Sequence, residues 1–294
     1  MKALDHHIAS ALNLHSNEIS SLFECDVLGY VGPMYWDSVE LYREVIDKLV
    51  MNRATRDANK PYINDRLVIV LETNGGSVEV VEKIVEMTRH HYSEVHFVIP
   101  NYAMSAGTIW SMSGNKIWMD YASSLGPIDP QVQSLNGGWV PALGYIEKKL
   151  EMDAKAANGT LTQVDVILLN ALDLAELDRF EQARKLSINL LKDWLVNYKF
   201  KNWNVHRTTN PGTPVSMAEK LARAEQIAAD LSSNTRWHSH GRFIGINRLV
   251  SDLRLEIDSF SALPGLSEHA RMYLGLLNDQ MDRQNNPIIV HCPT

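Results

Sequence analysis

Asn101-Tyr102-Ala103-Met104-Ser105-Ala106-Gly107-Thr108 is the stretch on which the reading of this chain turns. It follows an apolar run, Val95 to Ile99, that reads as a buried strand. It leads into small residues that open a helix, Ala106 to Met112. A serine on a sharp strand-to-helix turn exposes its hydroxyl and places it at the positive end of a helix. Further upstream, a second apolar run, Leu67 to Leu71, ends in Glu72-Thr73-Asn74-Gly75-Gly76-Ser77-Val78. A Gly-Gly pair lets backbone come close to a substrate and present its N–H groups. Taken alone, Gly-Gly-Ser after a strand is ordinarily a tight turn, and a serine among Ala, Met and Gly is ordinarily a small packing residue. The ordered pair is uncommon and points to an acyl-transfer site, with one serine nucleophile and one oxyanion hole.

Working outward, Asp26 to Pro33 reads as a short strand closed by a Gly-Pro breaker. Val39 to Val50 has helical spacing, and Asn52 to Asp65 is polar and reads as a loop. Arg66 to Leu71 is continuous enough to be a strand buried on both faces. Ser77 is placed to cap a helix from Val78 to His90, and Lys116 to Met119 reads as one more strand. This alternation predicts an α/β domain with a mainly parallel sheet. From Pro141 onward the pattern is helical. Expected helices run from Pro141 to Ala156, from Val164 to about Lys185 behind a Thr160/Gln163 capping box, and from Leu186 to Tyr198. Three more are expected after the polar connection Asn202 to Thr213: one reaching Leu231 behind a Ser216/Glu219 capping box, then Leu249 to Ile257 and Ser267 to Gln284. The expected organisation is an N-terminal segment over 1–25, a core over 26–200 and a helical C-terminal extension over 201–294.

Composition narrows the function. The chain has 294 residues, 45% hydrophobic and 21% charged, as in a soluble protein with a sizeable core. Its net charge of −7, with no basic block, argues against nucleic acid as a partner. Cys25 and Cys292 stand far apart and in no metal-ligand spacing, which suits incidental thiols in a reducing compartment; one disulfide stays open. Met1 to Glu24 carries no signal-peptide pattern, and no stretch approaches the ~20 apolar residues of a membrane span. A cytoplasmic location without membrane insertion is expected, and no cofactor or metal is implied.

A serine hydroxyl is a poor nucleophile until a neighbour takes its proton, and histidine is the usual base. The chain has eleven histidines, but none between His96 and His206. A base that follows Ser105 within the core must be another residue. Lysine is the substitute, because burial disfavours its charged form. Lys148 and Lys149 lie on the first helix after the sheet. With Leu143, Ile146, Leu150 and Ala154 as the apolar face, Lys149 sits at its edge and Lys148 nearly opposite, so burial favours Lys149. An adjacent lysine pair also reads as a solvated face. The N–H groups of Gly76 and Ala106 are best placed for an oxyanion, and Gly75 to Val78 offers a strand edge to an extended substrate. His238-Ser239-His240-Gly241 reads as a loop of solvated or hydrogen-bonded histidines, with a contribution of His240 to another subunit's site as the alternative. Trp194, Trp203 and Trp237 read as packing residues, and Asp173, Glu176 and Asp178 as an exposed acidic face.

These motifs resemble the ClpP/crotonase fold, and within it the Clp-protease and signal-peptide-peptidase-A group of serine peptidases. Asn74 to Val78 is similar to the oxyanion strand of that group, Ala103 to Gly107 to its nucleophile turn, Leu125 to Pro130 to the segment beyond, and Asp26 to Pro33 to its first strand. The resemblance covers residues 26 to 150 and is closest to the serine dehydrogenase proteinase family. It implies Ser105 as nucleophile, Gly76 and Ala106 as oxyanion donors, a peptide or unfolded protein as substrate, and a homo-oligomer. The stretch where the Clp subunit carries its histidine, Ser124 to Pro130, has none. That departure is more like the Ser-Lys dyads of the peptidase A branch, whose lysine follows at the distance at which Lys148 and Lys149 follow Ser105. The implied activity is that of a soluble serine endopeptidase. A crotonase-like acyl-CoA enzyme and a non-catalytic scaffold are the competing readings. Apolar positions after residue 200, such as Leu221, Ile227, Leu231, Leu249, Leu253, Ile257, Leu274 and Leu277, are expected to bury a face within the chain or against another subunit.

Overall fold

Along Asp26–Val31 (β1) and Arg66–Glu72 (β2) every second side chain faces the same side, yet nearly all are buried. Leu28, Tyr30, Leu67, Ile69 and Leu71 enter one hydrophobic cluster, while Val27, Val31, Val68 and Val70 enter another. A period of two with apolar residues on both faces requires cover on both sides, and the fold is a sheet between two helical layers. The computed structural model describes residues 3–53, 62–129, 131–133, 139–170, 174–207 and 210–293.

The elements follow in chain order. Ala3–Phe23 (α1) precedes β1, and Trp36–Asn52 (α2) and Val78–His91 (α3) flank β2. Glu94–Val98 (β3), Tyr102–Ala103 (β4), Ala106–Met112 (α4), Lys116–Met119 (β5), Ser124–Leu125 (β6), Gln131–Gln133 (β7) and Trp139–Pro141 (β8) come next. Ala142–Ala157 (α5), Gln163–Asn170 (α6) and Leu174–Trp194 (α7) lead into a π-helical turn, Leu195–Lys199. The rest comprises Met217–Leu231 (α8), Asn234–Trp237 (α9), Ile244–Gly245 (β9), Ile246–Ser251 (α10), Asp258–Ser259 (β10), a 3₁₀ turn at Phe260–Ala262, Leu266–Gln284 (α11) and Ile289–His291 (β11).

The main sheet has six strands in the order β10-β5-β3-β2-β1-β11, parallel except for β11, which runs antiparallel to β1. This is the mainly parallel α/β architecture expected from the alternating pattern. A smaller sheet, β4-β6-β9, stands beyond the carboxyl ends of the main strands. Local sequence explains the helices nearest the site. Ser77 caps α3 by accepting from Val80 N at 3.2 Å, Val80, Val81, Ile84, Val85 and Thr88 form its buried stripe, and the Arg89 cation complements the dipole in its last turn. Trp110 anchors α4 at the centre of the core, with ring centroids 5.1 Å from Tyr30, 5.8 Å from Tyr42 and 5.6 Å from Phe97. Edge-to-face pairs of this kind add about 0.5–1.5 kcal/mol each beyond their burial.

Several expectations are corrected. The N-terminal segment is a 21-residue helix, and α1 and α11 together cover one face of the sheet through Leu12, Ile19, Ala270, Tyr273, Leu274 and Leu277. The expected helix Val164 to Lys185 is helical on both sides of residues 171–173, as α6 and α7, and those three residues lie outside the described residues. The box ahead of α6 joins Thr162 and Asp165 rather than Thr160 and Gln163. Leu249 to Ile257 is helical only to Ser251, after which Leu253 and Leu255 are buried in irregular backbone. The region after residue 200 is mainly helical and has its Ser216/Glu219 capping box, but it also supplies β9, β10 and β11. Ile227, Leu231, Leu249, Leu253, Leu274 and Leu277 are therefore buried within the chain and do not need another subunit, while Leu221 remains exposed.

Candidate active site

The site grows from the carboxyl ends of β2 and β4. Ser105 is the N-cap residue of α4 with φ 53° and ψ −120°, and its side chain makes no capping hydrogen bond. Its carbonyl accepts from Thr108 N at 2.9 Å and Ile109 N at 3.3 Å, so the main chain holds the turn and leaves the hydroxyl uncommitted. A non-glycine residue at positive φ costs on the order of 1–3 kcal/mol and is retained where its surroundings over-determine it. The Thr108 hydroxyl supplies part of that constraint: it accepts from Gly126 N at 2.9 Å and lies 2.9 Å from the carbonyls of both Ala103 and Gly126. One buried hydroxyl thus joins α4, β4 and the segment after β6.

The Gly-Gly loop lies against this turn. Thr73 N donates to Tyr102 O at 3.2 Å, and Met104 N donates to Thr73 O at 2.9 Å. Gly75 has φ 106°, and a Cβ placed there would lie 2.8 Å from Ser105 Cβ and 3.3 Å from Ala106 N. Only glycine fits that contact and that backbone together. On the other edge Met34 N donates to Gly75 O at 2.9 Å, and Ser77 N donates to Met34 O at 2.9 Å. The Met34 pairing leaves out the N–H of Gly76, a solvent-exposed residue. Gly75 N itself donates to Thr73 Oγ1 at 2.9 Å. Ala106 is the first residue of α4, and first-turn N–H groups have no partner within their own helix. Glu72 at the end of β2 receives Asn101 Nδ2 at 2.6 Å and Asn278 Nδ2 from α11 at 3.1 Å, tying the strand end to both neighbours.

Lys149 is less exposed than Lys148, in the order the wheel gave, but the apolar face assumed for the helix is only partly realised. Leu150 is 60% exposed and Ala154 is exposed, whereas Ile146 and Met152 are buried; Ile146 meets Leu177 and Phe180 of α7. The side chain of Leu143 lies outside the described residues. Lys148 Nζ pairs with Glu151 at 2.8 Å and Lys149 Nζ with Asp153 at 2.6 Å, both within α5. Trp194 and Trp237 are buried, Trp203 half-buried and Asp178 exposed; Asp173 and the side chain of Glu176 lie outside the described residues.

A histidine and a carboxylate meet instead beside the small sheet. Tyr102 and Ala103 pair with Ser124 and Leu125, which pair in turn with Gly245 and Ile244. Beyond the paired residues, His240 Nδ1 lies 3.1 Å from Asp129 Oδ1. Asp129 is almost fully buried, and its Oδ2 has no hydrogen-bond partner among the described residues. The bond at Nδ1 fixes the imidazole tautomer and leaves Nε2 to act as acceptor. Asp129 stood in the Leu125 to Pro130 segment without a role, and its visible signal was a lone acid between Ile128 and Pro130. Nothing local marks His240 as its partner.

Comparison with known proteins places the chain. A family model described as ClpP-like SDH-type serine proteinase matches residues 15–213, a span that holds Ser105 and Asp129 and stops before His240. An uncharacterized protein of Methanocaldococcus jannaschii is 27% identical over 226 residues, 75% of this chain and 70% of that protein. Another from the same organism is 31% identical over 98 residues, 33% of this chain and 32% of its own length. Among solved structures, a mutant of the 1510-N membrane-bound stomatin-specific protease matches with TM-score 0.44 and 13% identity, covering 80% of this chain and 78% of that one. ClpP1 from Listeria monocytogenes matches with TM-score 0.42 and 13% identity, covering 85% of this chain and 99% of its own. No helix among the described residues is long and apolar enough to cross a membrane.

Proposed function

Because this chain belongs to the family of ClpP-like SDH-type serine proteinases, we propose that it hydrolyses peptides through Ser105, with His240 as general base and Asp129 as its orienting carboxylate. The observation that carries this reading is the His240–Asp129 hydrogen bond between the segments that flank β9 and β6 of the small sheet, whose first strand leads into the Ser105 turn. The peptide lies along the edge of Gly75 to Val78 that Met34 leaves open and pairs by main-chain hydrogen bonds. Ser105 Oγ attacks the scissile carbonyl while His240 Nε2 takes the hydroxyl proton. The N–H groups of Gly76 and Ala106 hold the oxyanion, each contributing about two to three orders of magnitude in rate. His240 then protonates the leaving amine. Water, deprotonated by the same imidazole, releases the acyl group and restores Ser105. A lysine base from α5 is the competing assignment, and it requires Lys149 to leave Asp153.

A fluorophosphonate probe tests the reading. It should label the protein at Ser105, and Ser105→Ala should lose both labelling and peptide hydrolysis while keeping the native circular dichroism spectrum. A Ser105→Ala protein that still hydrolyses peptides would end this mechanism. Absence of labelling in the native protein would favour the crotonase-like or scaffold readings, which need no nucleophilic serine.

The protein is further proposed to assemble with copies of itself through α5 and α6, where Leu150, Val164, Ile167 and Leu168 present large apolar side chains to solvent. Light scattering should give a mass above 33.2 kDa, and charged substitutions at Ile167 and Leu168 should lower it. A 33.2 kDa particle with full activity would refute the assembly.

A further inference from the structure

A cleft of about 1010 Å³ opens between β9–α10 and the 3₁₀ turn ahead of α11. Its walls include Arg242, Phe243, Arg248 and Tyr121. Three observations give it a use. The first is position. β4, which leads into the Ser105 turn, and β9, which directly follows Arg242 and Phe243, are the outer strands of the same three-stranded sheet, two strand spacings apart. Two strand spacings amount to about 10 Å. The ring of Phe243 also lies 6.5 Å from that of Tyr102, which leads into the Ser105 turn.

The second observation is charge. The chain carries a net −7, yet this cleft is a basic island. Among the described residues neither the Arg242 nor the Arg248 guanidinium has a hydrogen-bond or ion-pair partner. The one carboxylate in the wall, Asp120, is already paired with Arg271 at 2.5 Å. The third is exposed aromatic surface: Tyr121 is 92% and Phe243 63% exposed, both in the wall of the same cleft.

We propose that this cleft is a subsite for an acidic residue of the peptide cleaved at Ser105, with Arg242 and Arg248 receiving the carboxylate and Phe243 and Tyr121 covering adjacent apolar atoms. The proposal rests on the peptidase reading and adds the substrate class. Guanidinium groups suit this task because their planar fork matches a carboxylate. An extended chain advances about 3.3–3.6 Å per residue, so the acidic side chain belongs about three positions from the scissile bond.

The test uses quenched fluorescent peptides that differ only in glutamate or glutamine three residues from the cleaved bond, on either side. The glutamate peptide should be cleaved with a kcat/KM about fivefold to tenfold higher, mainly through KM. The preference should shrink at high salt, because solvent-exposed charges are screened. Arg242→Gln with Arg248→Gln should abolish the preference, and Arg242→Lys with Arg248→Lys should keep most of it. Arg248→Gln alone, at an exposed position, should lower it and guards against misfolding of the double variant. Anisotropy of a labelled glutamate peptide on full-length Ser105→Ala protein reads the same preference without turnover. Equal kcat/KM for the two peptides, or a preference that survives the glutamine variants, would overturn the subsite while leaving the peptidase reading intact. If the native protein is neither labelled by fluorophosphonate nor active, the peptidase reading falls. Arginine-independent binding in the anisotropy assay then removes the subsite as well.

Discussion

The turn that carries Ser105 and the loop that carries His240 are held by different kinds of contact. At Ser105 the constraints are close in sequence: Gly107 N donates to Met104 O at 2.8 Å, Ser105 O receives the first two donors after that, and the Thr108 hydroxyl closes the turn on Ala103. His240 follows the short helix α9 and reaches Asp129, 111 positions away in the chain, only because β9 pairs with β6. The first arrangement survives as long as the local backbone does. The second exists only when the C-terminal third of the chain is folded onto the sheet. A nucleophile set by local geometry can therefore be intact while its base is displaced.

Five substitutions and one change of pH bear on this difference. His240→Ala should reduce peptide hydrolysis by about two to four orders of magnitude, the usual contribution of a positioned general base. Lys149→Ala, set beside it, should change the rate less than about twofold, since an exposed intrahelical ion pair contributes little. A reversed ranking of these two variants would move the base to α5. Gly75→Val should cost about two to three orders of magnitude by displacing the oxyanion donors, because its Cβ would press on Ser105 at a backbone angle a branched residue avoids. Hydrogen exchange in that variant should rise at Ser105 and Ala106 and stay native at Asp129; uniform change would mean that the two regions are not separable. Thr108→Val should act more gently, at about 1–3 kcal/mol of stability for the unpaired Gly126 N–H it leaves. Urea denaturation checks it, and an unchanged midpoint would remove Thr108 as the link between α4 and β6.

The smallest effect concerns acid. Burial, with the charge of Lys48 adding to it, pulls His291 down from 6.5 to about 4. Its ring meets the Tyr273 hydroxyl at 2.8 Å on α11. A depressed folded-state pKa means that the neutral ring is favoured by folding. The stabilisation is complete above about pH 6.5 and is lost as pH falls through about 4. Exchange should therefore accelerate at β11 and its partner residues Gly29 to Val31 before it does so at α4. His291→Gln should flatten that dependence. Equal acid sensitivity in β11 and α4 would show that the closing strand and the nucleophile helix unfold as one unit.

Local physics made the central architecture legible. The alternating runs of β1, β2, β3 and β5, the serine cap of α3 and the Gly-Gly loop each depend on residues a few positions apart, and each is found where the pattern placed it. The turn at Ser105 is visible for the same reason, since small residues before a helix and a glycine pair after a strand are local requirements. The register of α5 was not legible. Ile146, Leu150 and Ala154 form as plausible an apolar face as Ile146 and Met152, and only the position of α7 decides between them. The length of α1 and the two strands that close the sheet edges were missed because their signals are short or weakly amphipathic, and their burial comes from partners at the other end of the chain.

The sequence by itself determined the parallel α/β core, the placement of Ser105 on a strand-to-helix turn and the glycine loop opposite it, because steric limits on backbone and a two-residue side-chain period act within a few residues. Only the tertiary structure decided which carboxylate meets which imidazole, which lysines are spent in surface ion pairs, and where Arg242 and Arg248 gather. Those pairings join segments separated by long stretches of chain. They are selected by the burial of neighbouring apolar surface rather than by the residues that meet, so the residue types alone do not encode them.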